Sequence, residues 1–408
     1  MSETTNTTTY EKTEFGSVSI QALFRDGRGG FFAALAVVVP LTAAAIQPGY
    51  SVTDLGILPG TAASFATGLN DRGEVVGYCA PTPENLNEVG FVWRNGVMVS
   101  TGKLPKGQYS FANAINSAGV AVGDGDTGNG RPQSWVTTPK GLVNFFPNTG
   151  GNTHAIGIND AATICGYYTK SLSGSVSSWR GAIWTPDPKD PRRYSMMDLP
   201  ILVGPDPTFK GTSALPWAFN QAGQAAGYAA NEVIGQHACF WNNDVAHSIV
   251  DLGVFPGDWS SLAFGMNELG QVAGTSHPPF GSRPVVWNND AAHTVVELQP
   301  LPGDNYGTAA AINALGQVIG TSYYGTPGTW DATVPRSVIW RDGAVFELQA
   351  SLEAVTGAGW TLTEVRAIND VGQIVGSGTH NGVGRAFLLT PIVQPTAAAA
   401  FLSVQSTQ

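Results

Sequence analysis

The chain has 408 residues, a net charge of −10 and only 12 % charged side chains. An acidic balance of this size excludes the basic face that nucleic acid or an anionic membrane surface requires of a partner. Glycine (51) and proline (26) approach a fifth of the residues, yet 43 % are apolar, so the composition describes a turn-rich fold with a real core and not a disordered chain.

In chain order, the first feature is residues 1–45. A polar, Thr-rich start leads to Arg25 and Arg28, then to "FFAALAVVVPLTAAA" at 31–45. Cationic flank, apolar run and small residues at Ala43 and Ala45 are the parts of a secretory signal, which predicts a secreted, extracellular or periplasmic protein; an uncleaved N-terminal anchor is the alternative. The run is short for a transmembrane helix and Pro40 interrupts it, so no span is expected in the mature chain. Cys79, Cys165 and Cys239 are too few, and odd in number, for a disulfide framework; they read as buried free thiols.

From residue 50 onward the chain repeats. "GLNDRGEVVG" at 68 returns as "AINSAGVAVG" at 114, "GMNELGQVAG" at 265, "AINALGQVIG" at 311 and "AINDVGQIVG" at 367. The recurring Asn falls at Asn70, Asn116, Asn159, Asn220, Asn267, Asn313 and Asn369, a period of about 50, which is that of propeller blades. Each copy holds four strand-like runs. In the fifth they are 261–267, 270–275, 283–287 and 293–298. Asn-x-x-Gly joins the first two, and tight turns such as "WRNGV" at 93–97 and "WRDGA" at 340–344 join the last two, so each copy is an antiparallel meander.

Two and four residues before the Asn stand mostly Gly or Ala, as at Gly68 and Ala66; one residue before it stands a bulky side chain, as at Leu69. Strand alternation then predicts a small face and a large face that interlock between neighbouring blades. Trp93, Trp135, Trp184, Trp241, Trp287 and Trp340, each at the end of a third strand, read as wedges between sheets. The first copy is preceded by a spare fourth strand, "YSVTDLG" (50–56), and the last lacks one after "RAFLLTP" (385–391). The predicted fold is therefore all-β: a seven-bladed β-propeller of four-stranded antiparallel blades over residues 46–391, closed by the N-terminal strand pairing in the last blade, with a tail at 392–408.

The pattern "VxDLG…LPG…GINxxGQVVG…HAFxW" resembles the HAF family of bacterial extracellular repeat proteins over roughly 50–390. His-Ala-Phe itself is approximated only by "HACF" at 237–240, Arg stands at the equivalent place in "RPVVW" and "RAFLL", and Ala162 replaces one turn glycine. The resemblance implies fold and export, and no established activity.

A meander puts the Asn-x-x-Gly and Asn-Gly turns on one rim, the turn rim. The second-to-third loops and the blade crossovers lie on the other, where "CAPTPENLNEV" (79–89), "DGDTGNG" (124–130), "TKSLSGSVSSW" (169–179) and "TSYYGTPGTWDATVP" (321–335) vary. Recognition usually sits on such loops. Crossover aromatics Tyr109, Trp259, Tyr306 and Trp360, with Asp258 and Asp304 adjacent, are the candidate ligand contacts for a neutral ring such as a sugar. Asp124, Asp126 and Asn129 are a candidate cation loop, although the spacing departs from a calcium loop and no distal Glu completes it. No other cofactor is expected.

No HExxH, GxSxG or phosphate-loop motif occurs. The acids of the repeat, Asp54, Asp198, Asp251 and Glu297, belong to outer strands and suit turn capping. The expectation is thus a non-enzymatic exported binding or surface-interaction module for a glycan or protein partner at the variable rim. The alternative is a carbohydrate-active hydrolase or lyase, which three or more carboxylates on the axis would favour.

Overall fold

The computed structural model describes residues 47, 49–81, 87–128, 130–145, 151–171, 177–202, 213–231, 235–329 and 331–392. Residues 1–46, which hold the expected export segment or anchor, the tail beyond Ile392 and Asn129 lie outside the described residues. Seven four-stranded antiparallel sheets are present. Their inner strands are Ala63–Leu69, Ser110–Ile115, Thr153–Ile158, Ser213–Phe219, Ser260–Met266, Tyr306–Ile312 and Trp360–Ile368. This is the seven-bladed propeller that the repeat predicts, and a single 3-10 turn, Gln349–Ser351, is its one helical element among the described residues.

Closure also follows the prediction. Gly49–Asp54 is the outermost strand of the seventh blade, antiparallel to Val383–Ile392, with Val52 opposite Leu389. Tyr50, only 1 % exposed, packs among Ile319, Ile339 and Leu348 of the sixth-blade region and Trp360 and Phe387 of the seventh. The first strand therefore holds two blades at once, and the seventh blade is left no unpaired edge next to its third strand.

The recurring Asn does two jobs. In the first blade its Oδ1 accepts from the N–H groups of Arg72 and Glu74 at 3.1 and 3.0 Å, which closes the turn. Its Nδ2 donates to the Asn116 carbonyl of the next blade at 2.9 Å. The same amide-to-carbonyl link joins Asn116 to Asn159, Asn220 to Asn267, Asn267 to Asn313, Asn313 to Asn369, and Asn369 back to Asn70. All seven Asn are buried, where an unpaired amide is costly, and in six of them the side-chain amide is satisfied by the next blade. A ring of turns thus becomes a ring of blades.

The glycine three residues on has φ between +73° and +79° in six copies, as at Gly73 and Gly372. In the third copy Ala162 takes the same left-handed conformation at φ +57°. That conformation costs an alanine about 1–2 kcal/mol, partly offset by the greater chain entropy a glycine loses. Ala162→Gly is expected to stabilise the protein by about 0.5–1 kcal/mol, read as a higher melting temperature.

The predicted wedges hold with one shift. Trp93, Trp184, Trp241, Trp287 and Trp340 pair with the equivalent residue of their second strands, as Val75 with Trp93 and Val272 with Trp287. Trp135 instead faces Gly123, the place Phe91 takes opposite Gly77 in the first blade. A two-residue shift keeps the same face of the strand, so the indole still fills the space between blades. Trp241 and Trp340 also donate through Nε1 to the carbonyls of Pro200 and Gln299 at 2.9 and 2.7 Å.

Strict alternation fails at the same place in every inner strand, and at a second place, between Leu362 and Glu364, in the seventh. A β-bulge interrupts the register between Ala66 and Gly68, Ala112 and Ala114, Ala155 and Gly157, Pro216 and Ala218, Ala263 and Gly265, Ala309 and Ala311, and Val365 and Ala367. The extra residue in each is Thr67, Asn113, Ile156, Trp217, Phe264, Ala310 or Arg366. Opposite each bulge the second strand carries glycine. A Cβ on Gly77, Gly123, Gly166, Gly227, Gly274, Gly320 or Gly376 would fall between 1.9 and 2.1 Å from an inner-strand carbonyl oxygen. The final glycine of the repeat is thus required by space, not by backbone angle.

Candidate functional site

The crossover candidates divide by environment. Asp258, its side chain 2 % exposed, pairs with Arg283 at 3.2 Å, and Arg283 also pairs with Glu297. Asp304 pairs with Arg336 at 2.8 Å and accepts from Ser322 Oγ, while Arg336 reaches Glu347. Both acids therefore lock a crossover to a third strand. Trp360 is buried, stacked on His380 with centroids 4.8 Å apart and edge-on to Phe387. Trp259 is 70 % exposed. Tyr306 and Tyr109 are half-buried; burial, then Asp126, Asp124 and Glu88, push the Tyr109 hydroxyl up to about 12. The six residues are spread over four crossovers, and of them only Tyr306 lines the cleft between the fifth and sixth blades.

The candidate cation loop has its acids already bonded. Asp124 accepts from Asn113 Nδ2, the Ala155 N–H and His154 Nδ1, each at 3.0 Å, and so bridges the second and third blades. Asp126 accepts from the N–H groups of Tyr109 and Gly128 at 3.3 and 3.0 Å. Burial alone would raise its carboxyl, but backbone N–H donors led by Gln108 and Gly128 hold it below the ordinary value. Among the described residues no group of three or more His, Cys, Asp or Glu could hold a metal ion.

The outer acids serve as caps and ties. Asp54 and Asp251 accept from the N–H groups of Gly56 and Gly253 at 2.8 Å. They also meet His380 and His237 at 2.9 Å, and Asp198 meets Tyr168 and Lys170. The three cysteines are buried and free, and burial raises all three thiols, which leaves them unreactive.

What the sequence reading missed is the axis. A cavity of about 620 Å³ lies on the variable-loop side of the channel. All seven bulge residues line it: Thr67, Asn113, Ile156, Trp217, Phe264, Ala310 and Arg366. Their flanks are Ala or Gly except at Pro216 and Val365, yet they themselves span hydroxyl, amide, aliphatic, aromatic and cationic chemistry. That contrast, one varied column between two nearly constant ones, was the available signal. Trp217 and Phe264 stack in parallel at 5.3 Å, and Tyr228 meets Trp217 edge-on at 4.9 Å. Toward the first three blades the aromatic run continues through Phe65 on Tyr78, Tyr78 on Phe111, and His154 on Tyr167. Burial, then Asp124 and Tyr228, push Tyr167 up to about 12, so its hydroxyl stays a donor at neutral pH.

Polar groups on this wall are oriented. Thr67 donates to the Ala112 carbonyl at 2.6 Å, and Asn113 to the Ala155 carbonyl at 2.8 Å. Arg366 pairs with Glu364 at 2.7 Å. Among the described residues Glu364 is the one carboxylate lining the cavity, and it already faces a guanidinium.

The turn-rim end of the channel is smaller, about 250 Å³, and acidic, with Asp71, Glu268 and Asp370 along its lining. Each accepts a backbone N–H from another blade: Asp71 from Asp370 at 3.0 Å, Asp370 from Ala314 at 2.7 Å, Glu268 from Gln221 at 3.0 Å. Partial burial, then the charges of Asp370 and Asp71, raise Glu268 above its ordinary value despite the Gln221 bond.

No protein-family model matches the chain, and no curated protein sequence matches it. Among solved structures it is similar to the β-propeller domain of the Trilobed protease from Pyrococcus furiosus, at 10 % identity and TM-score 0.48, covering 82 % of this chain and 99 % of that one. It is also similar to the Hadza microbial sialidase Hz136, at 11 % identity and TM-score 0.38, covering 85 % and 93 %. A third likeness is to the Aleuria aurantia lectin, at 11 % identity and TM-score 0.33, covering 71 % and 96 %. Likeness at this level is of architecture, and no ligand or chemistry passes from these proteins to this chain.

Proposed function

We propose that the chain is an exported binding module of the HAF-like repeat type, which takes a small ring-shaped polar ligand, such as the end of a glycan, into the axial cavity from the variable rim. One observation carries the reading: the seven bulges present seven different side chains to one cavity on a scaffold that is otherwise repetitive. The Trp217–Phe264 stack offers a rigid apolar wall, and Asn113, Thr67 and the Glu364–Arg366 pair offer oriented hydrogen-bonding groups opposite it. The carboxylates nearest this cavity, Asp124 and Glu364, are each already bonded, which favours binding over acid–base chemistry.

The paired variant Trp217→Ala, Phe264→Ala is expected to weaken glycan-array binding at least about tenfold, one loss of roughly 1.4 kcal/mol, with the melting curve still cooperative. Binding that survives both substitutions would remove the axial site.

A second reading, a hydrolase or lyase, draws on Asp71, Glu268 and Asp370 at the turn-rim mouth, with Glu268, whose carboxyl is raised above its ordinary value, as the candidate acid. Because its folded carboxyl is raised, Glu268 favours folding below the unfolded value and loses that contribution as pH rises through the folded one. Glu268→Gln is therefore expected to melt higher at pH 7 and not at pH 4, by less than about 1 kcal/mol at this exposed mouth. Hydrolysis of chromogenic glycosides by the wild type that disappears in Glu268→Gln would put the second reading in place of the first.

A further inference from the structure

We infer that the cleft between the fifth and sixth blades on the variable rim is a second ligand site, sized for one polyhydroxylated six-membered ring such as a hexose and separate from the axial cavity. The cleft holds about 220 Å³, the liquid volume of roughly seven waters, and its walls include His277, Ser282, Tyr306, Tyr323, Thr329 and Asp331.

Tyr306 is its platform. Two loops of different blades bring glycines against opposite edges of the ring. A Cβ on Gly281 would stand 2.4 Å from Cδ1 and Cε1, and one on Gly325 would stand 2.6 Å from Cδ2. Gly281 also has φ +78°, a conformation other residues rarely take. Gly325 is pinned in place by Asn305, whose amide donates to its carbonyl and accepts its N–H at 2.9 and 2.8 Å. A ring needed only for packing would be buried by such a clamp. Tyr306 is held in one orientation yet stays half-exposed on the cleft, so little ordering remains to be done when a ligand stacks there.

The polar groups around it complete a sugar-binding chemistry. Tyr323 Oη and Ser282 Oγ hydrogen-bond to each other at 2.7 Å and keep a second aromatic upright 5.9 Å from Tyr306. Asp331 is exposed and lines the cleft, its carbonyl accepting from the Thr326 N–H at 2.8 Å and its N–H donating to Thr329 Oγ1 at 3.1 Å. His277 is held below its ordinary value, chiefly by burial, with Asp258 opposing; this favours the neutral imidazole, which can both donate and accept. An apolar face, a carboxylate acceptor and an imidazole suit vicinal hydroxyls on a ring, and among the described residues no cationic side chain lines the cleft to call for an anion.

Saturation-transfer NMR with D-glucose, D-galactose, D-mannose and N-acetyl-D-glucosamine, each at about 5 mM, tests the assignment on the full chain. At least one probe is expected to be saturated by the wild type, with affinity reduced at least tenfold in Tyr306→Ala or in Asp331→Asn. The Asp331 variant alters an exposed side chain and decides the matter if Tyr306→Ala does not fold. Absence of any saturated probe, or wild-type affinity in the folded variants, overturns the inference. Dependence of the signal on Trp217 instead would assign it to the axial cavity and overturn the inference equally.

Discussion

Tyr50→Ala is expected to lower the unfolding free energy by about 3–4 kcal/mol, the range for truncating a fully buried aromatic. Tyr50 is 1 % exposed and lies between Ile319 and Ile339 of the sixth blade and Phe387 of the seventh, so its loss opens a cavity on both sides of the closing strand. Collapse cannot easily fill that space, because the strand is tied along its length. The Tyr50 carbonyl accepts from Glu353 at 2.8 Å, and the Val52 N–H donates to Thr356 Oγ1 at 3.0 Å. In a protein of this size the expected fall in melting temperature is about 5–10 °C, followed by circular dichroism. Ser51→Ala, in the same strand but with its hydroxyl 3.4 Å from its acceptor, is the control and should melt close to wild type. Equal melting of the two variants would mean that the ring is not held shut at this strand.

Gly320→Ala is expected to cost roughly 3 kcal/mol or more, among the largest single-residue effects in the molecule. The added Cβ would meet the Thr308 carbonyl oxygen at 1.9 Å and backbone carbons of Thr308 and Ala309 at 3.0 Å. All three are main-chain atoms, so no rotamer change relieves the clash; the bulge itself must move. Because Gly320, Thr308 and Ala310 also line the axial cavity, ligand binding should fall along with stability. Gly343→Ala gives a useful contrast, since a Cβ there meets nothing within 4 Å and only its φ of +73° opposes the change. The two substitutions therefore separate a spatial requirement from a conformational one, with denaturant midpoints as the readout.

Much of the architecture was legible because a repeat multiplies weak signals. One Asn-x-x-Gly is only a turn, but seven in phase, with a spare strand at one end and a missing strand at the other, specify a closed ring. The Asn belt shows why the residue recurs: Asp would close the same turn, but a carboxylate only accepts, whereas the amide accepts from its own turn through Oδ1 and donates to the next blade through Nδ2. Asp198, Asp251 and Glu297 were placed correctly on outer strands because strand order follows from the meander. The crossover aromatics were harder. Trp360 and Trp259 look alike in sequence, yet one is buried under His380 and the other stands in solvent, since the fold of the adjacent crossover decides which side of the sheet covers them.

What the sequence determined by itself was the number of blades, their strand order, their closure and the two classes of rim, because each of these depends on periodicity and on the strict two-residue alternation of a strand. What only the tertiary structure decided was which residues meet. A bulge adds one residue and so breaks the alternation from which facing is read, and seven such bulges turn Thr67, Asn113, Ile156, Trp217, Phe264, Ala310 and Arg366 onto a shared axis. Those residues come from seven strands spread over some three hundred positions, and only the circular arrangement of the blades brings them within reach of one ligand.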